Sequence, residues 1–76
     1  MIPEFTKETI DRYVKDHCHP GGFVYAVLSN DLAEAFARAD DNNSFFMKDI
    51  VSYIYNHIPI NSWGSKEIVD SWLAAR

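Results

Sequence analysis

An all-α fold, a compact bundle of four to five short helices, is predicted by three features of the sequence. Apolar residues recur every third or fourth position along most of the chain, the spacing that lines one face of an α-helix. The runs are interrupted by the helix breakers Pro20-Gly21-Gly22 and Pro59 and by clusters of Ser, Asp and Asn, which suit helix starts and turns. Alternation of period two competes only over Phe23 to Leu28, and a strand there would find no second alternating segment to pair with. At 76 residues the chain is read as a single small helical domain, 1–76, with about 4,700 Å² of folded surface and about 60% of the unfolded surface buried.

The first helix is expected to start at Thr6, a good N-cap, with Glu8 in its first turn near the positive end of the dipole. Ile10, Tyr13 and Val14 form its inward stripe, and it ends near His17 ahead of Pro20-Gly21-Gly22. The next apolar stripe is Val24, Leu28, Leu32, Phe36 and Ala39, crossed by the cap-type residues Ser29, Asn30 and Asp31. This predicts a short helix to Leu28, a tight turn, and a helix from Asp31 to Ala39 capped by Asn30, with one continuous helix as the alternative. Asp40 to Ser44 reads as a loop. Phe46, Met47, Ile50, Val51, Ile54 and Ile58 make the most regular stripe, a helix from about Ser44 to His57 that Pro59 stops. The last helix is capped by Ser65, carries Glu67 in its first turn, and turns Ile68, Val69, Trp72 and Leu73 inward, with Trp63 packed beneath its start.

Seven basic and eleven acidic residues give a net charge of −4. That balance argues against a nucleic-acid ligand, because phosphate binding rests on clustered Lys and Arg. The single cysteine, Cys18, cannot form an internal disulfide, so a reducing compartment is expected. The stretch MIPEFTKETI shows no basic region followed by an apolar core, so no signal peptide is expected. No apolar run approaches the ~18 residues of a membrane span. A cytoplasmic protein with no membrane partner is the expectation.

The chemistry-bearing side chains are sparse. His17, Cys18 and His19 are metal-capable, but three adjacent residues do not all face one ion easily, and nothing places His57 beside them as a fourth ligand. A thiol nucleophile at Cys18 would need a base in geometry and an oxyanion donor, neither of which the sequence supplies. Pro20-Gly21-Gly22 lacks the Lys and Ser/Thr of a phosphate-binding loop. The carboxylates Asp31, Glu34, Asp40 and Asp41 lack the alternating spacing of a calcium loop. No catalytic, cofactor or metal residue is assigned, and the chain is not expected to be an enzyme; a metal- or thiol-dependent activity is the least favoured alternative.

Eleven Phe, Tyr and Trp residues are hard to bury together in so short a chain. Tyr25, Phe45, Tyr53 and Tyr55 are expected at the surface or against another subunit. Combined with the acidic stretch, this marks Tyr25, Asp31, Glu34, Asp40, Asp41 and Tyr55 as candidate protein-binding residues, suited to a basic surface on a partner.

The segments PGGFVYAVLSNDLAEAFARADDNN, IVSYIYNHIP and WGSKEIVDSWL resemble a group of small uncharacterised proteins encoded by bacteriophages and prophages, and the resemblance covers about Tyr13 to Leu73. The resemblance rests on Pro20-Gly21-Gly22-Phe23, Ala37-Arg38-Ala39-Asp40, Tyr55-Asn56 and Trp63-Gly64-Ser65. It implies a phage origin and expression in the bacterial cytoplasm, and supplies no catalytic residues. Phages carry many compact acidic proteins that bind and redirect host proteins, inhibitors of defence nucleases among them. The function expected is a non-enzymatic phage or prophage accessory protein that binds and modulates or inhibits a host protein, a defence nuclease system among the candidates, with a host or phage protein as the partner. The alternative is a small self-associating assembly protein, a homodimer in its simplest form.

Overall fold

The computed structural model describes residues 1–75 as helices and short turns, with no strand among them. The helices are α1 (Glu4–Asp16), α2 (Gly22–Leu28), α3 (Leu32–Arg38), α4 (Asp41–Phe45), α5 (Met47–His57) and α6 (Lys66–Ala74). A single 3₁₀ turn, Ile60–Ser62, joins α5 to α6. The all-α architecture predicted from periodicity is the one observed; the added element is α4.

Helix α1 has its N-cap at Pro3, three residues earlier than the cap expected at Thr6. Pro3 lies outside the helix with φ −60° and ψ 135°, and its carbonyl accepts the Lys7 N–H at 3.0 Å. Thr6 is instead buried within the first turn, where its hydroxyl bonds Asn43 Oδ1 at 2.5 Å and ties α1 to α4. At the other end His17 takes a left-handed conformation, φ 56°, and its N–H bonds the Tyr13 carbonyl at 3.0 Å. This is a common way for a helix to close.

The α2–α3 turn has a definite local cause. Asn30 adopts φ 64°, its N–H bonds the Val27 carbonyl at 3.1 Å, and the Asp31 N–H bonds the Ala26 carbonyl at 2.9 Å. This paired closure is the Schellman motif, with Asn in the left-handed position. The same Asp31 then caps α3, its carboxylate accepting the Glu34 N–H at 3.3 Å. The cap is therefore Asp31, not Asn30: the left-handed backbone of Asn30 spends that residue on ending α2.

This turn also resets the helix phase. Leu32 and Phe36, expected inward, are 68% and 46% exposed, and Ala35 faces the interior instead. Ala26, Ala35 and Met47 form a small second core in which two alanines let α2 and α3 approach closely. The main core is Ile10, Tyr13, Val24, Leu28, Ile50, Ile54 and Val69.

The stretch read as a loop, Asp40 to Ser44, is mostly helical. Asp40 caps α4 by accepting the Asn43 N–H at 2.7 Å. Phe46, φ −99° and ψ 23°, separates α4 from α5, so α5 begins at Met47 and not near Ser44. Val51, also expected inward, is 43% exposed. The final helix follows expectation: Ser65 Oγ accepts the Ile68 N–H at 3.2 Å, and Val69 is fully buried.

Polar staples hold α6 and the segment before it against α1 and α2. Tyr13 donates its hydroxyl to the Ser62 carbonyl at 2.7 Å, and the Gly64 N–H reaches the Leu28 carbonyl at 2.7 Å. His17 Nδ1 donates to the Trp72 carbonyl at 2.6 Å, with the two rings stacked 4.7 Å apart. Among the described residues no helix is long and apolar enough to cross a membrane.

Candidate protein-interaction surfaces

Helices α2 and α3 and the start of α6 enclose a cleft of about 440 Å³. Tyr25, Asp31 and Glu34, three of the six residues singled out in the sequence, line it together with His19, Arg38 and Lys66. Tyr25 is half-buried; its hydroxyl donates to Asp70 Oδ1 at 2.7 Å, and its ring stacks on His19 at 5.2 Å and 10°. The hydrogen bond to Asp70 raises the Tyr25 phenol above its ordinary range, with burial adding to it. His19 Nδ1 accepts the Gly21 N–H at 3.1 Å, which leaves the proton of the neutral ring on Nε2.

Charge in this cleft is arranged by helix geometry. Glu34 and Arg38 are one turn apart on α3 and pair at 2.6 Å, the favourable order along a helix. Arg38 lies across Gly22, where a Cβ would come within 2.8 Å of its Nη1. The glycine thus makes room for the guanidinium. Asp31, Glu34 and the nearby Asp70 outnumber Arg38 and Lys66, so the cleft has a surplus of negative charge. Ser29, in the same wall, keeps its hydroxyl buried with no partner among the described residues.

Asp40 and Asp41 lie outside this cleft. Asp40 is occupied as the α4 cap and Asp41 is exposed in the first turn of that helix. Tyr55 is on a different face, 71% exposed on α5, with its ring 6.0 Å from Trp63. Of the other aromatics expected at the surface, Phe45 is 81% exposed. Tyr53 is half-buried, with its hydroxyl bonded to Asp11 and the Lys7 ammonium 5.5 Å above its ring.

Around Tyr55 lies an apolar face that the sequence reading identified only at that residue. One hollow of about 430 Å³ is lined by Tyr55, Ile58, Ile60, Trp63, Gly64 and Ile68. A smaller one, about 70 Å³, lies between α3 and α5 against Leu32, Val51 and the other side of Trp63. Periodicity assigned most of these side chains to the core, and their exposure follows from the reset phase of α3 and the turn after Pro59.

His17, Cys18 and His19 point to different partners: the Trp72 carbonyl, the Asp16 carbonyl and the Gly21 N–H. Among the described residues no three His, Cys, Asp or Glu side chains converge where they would hold a metal ion. His57 packs against Tyr53 at 5.0 Å. Comparison with protein families, curated proteins and solved structures finds no match for the chain.

Proposed function

We propose that the chain acts by binding another protein and altering that partner's activity, as a non-enzymatic accessory factor of a bacteriophage or prophage working in the cytoplasm of the bacterial host. The observation that supports this best is the convergence of Tyr25, Asp31 and Glu34 on one acidic, partly aromatic cleft. An aromatic ring beside carboxylates suits a basic surface, where the aromatic supplies contact area and the charges supply orientation and rate. A host protein with a basic groove, such as a defence nuclease, fits that description.

The test is a crosslinking pull-down from bacterial lysate with the native chain, Tyr25→Ala and Glu34→Lys, each checked for native helix content. The native chain should retain one specific protein in a salt-sensitive manner, and both variants should lose it. A partner captured equally well by all three, or none captured by a correctly folded bait, rules the cleft out as the binding site.

A second reading, self-association, is favoured by a separate observation, the apolar face around Trp63.

A further inference from the structure

We infer that the face centred on Trp63 is covered by the same face of a second copy of this chain, making a two-fold dimer. The side chains that carry it are Leu32, Val51, Tyr55, Ile60, Trp63 and Ile68. Five of them are 68%, 43%, 71%, 85% and 36% exposed in that order, Trp63 being half-buried. Together they present on the order of 600 Å² of largely apolar surface, against the roughly 800 Å² per partner of a standard interface. A patch of this size lies at the upper end of what a monomer ordinarily exposes, and such patches are often functional.

Three features select a second copy over another occupant. Asp31 is the one charged residue lining either hollow, and it lies at the edge against α3. Two chains of net charge −4 can therefore meet here while keeping nearly all their like charges outside the contact. The composition, aromatic and branched aliphatic with charge at the rim, is that of homodimer interfaces. The face also carries highly exposed side chains and hollows together: Ile60, Tyr55 and Leu32 border two hollows that both include Trp63 in their lining. A two-fold contact requires that self-complementary relief. The acidic cleft shares only Asp31 with the lining of these hollows, so the dimer would leave Tyr25 and Glu34 available.

Sedimentation of the full chain from micromolar to near-millimolar concentration tests this, with Ile60→Lys and Val51→Lys as face variants and Phe45→Lys as an exposed control on α4. The native chain and Phe45→Lys should reach twice the monomer mass. Ile60→Lys and Val51→Lys should weaken association at least tenfold, with unchanged helix content by circular dichroism. Ile60 is so exposed that its replacement does not endanger the fold. A native chain that stays monomeric throughout, open-ended growth beyond the dimer, or a dimer indifferent to both face variants would each overturn the inference.

Discussion

The indole N–H of Trp72 donates to the backbone carbonyl of Tyr13 at 3.1 Å, and that same oxygen also accepts the His17 N–H that closes α1. One carbonyl thus serves both the end of the first helix and the docking of the last. Trp72→Phe keeps most of the packing and removes the donor, and should cost about 1 kcal/mol by urea denaturation. Tyr13→Phe leaves the buried Ser62 carbonyl without its partner and should cost about 1–3 kcal/mol. A Tyr13→Phe chain as stable as the native one would show that the carbonyl finds another donor.

High pH should weaken the fold. Burial pushes the Tyr13 phenol up to about 12 from an ordinary value of 10, with Asp70 and Tyr25 adding to it. Tyr53 is raised by burial and by its bond to Asp11, and Tyr25 by its bond to Asp70. As pH passes 10 the unfolded chain loses these protons first and binds fewer than the native state, so stability falls. The contribution is complete below pH 10 and disappears as pH climbs through about 12. Urea midpoints measured at rising alkaline pH should decline, and Tyr13→Phe should flatten the decline.

Two substitutions at Asp31 separate its roles. Asp31→Ala removes the α3 cap and should cost about 1 kcal/mol. Asp31→Asn keeps a capping oxygen while deleting the charge, so it should preserve the melting temperature and still weaken capture of a basic partner.

Core and surface apolar side chains should respond very unequally to substitution. Ile54→Ala empties a site that is 1% exposed and should cost about 2–5 kcal/mol, a large part of the stability of so small a domain. Ala35→Leu, overfilling the close contact of α2 with α3, should cost about 1–3 kcal/mol. Phe45→Ala, at 81% exposure, should change stability by no more than about 0.5 kcal/mol. Thermal or urea unfolding of the three variants checks the order.

What the sequence made legible were the local signals. The Pro20-Gly21-Gly22 break, the stop at Pro59, the Ser65 cap and the two-helix reading of Phe23 to Ala39 all rest on residues whose backbone preferences act within a few positions. The errors arose where one backbone dihedral changed the geometry downstream. Asn30 at φ 64° rotates α3, so a stripe counted straight through Leu28 assigns Leu32 and Phe36 to the wrong side. Thr6 looked like a cap because its residue type suits one, and its distant partner Asn43 leaves no mark in local spacing. For the candidate site, periodicity placed Asp31 and Glu34 on one helix. It had no means of bringing Tyr25 to the same cleft, or of showing that Asp40 is engaged with its own backbone. The Trp63 face is a property of how α3, α5 and the turn after Pro59 meet, which no single stretch encodes.

The bond from the Gly64 N–H to the Leu28 carbonyl, together with the Tyr13–Ser62 pair, makes the closing of the first two helices depend on a segment far along the chain. The groups that lock α1 and α2 in place come from the turn and loop between α5 and α6, not from the two helices themselves. A chain lacking residues 62–64 would therefore leave the Leu28 carbonyl and the Tyr13 hydroxyl without these partners.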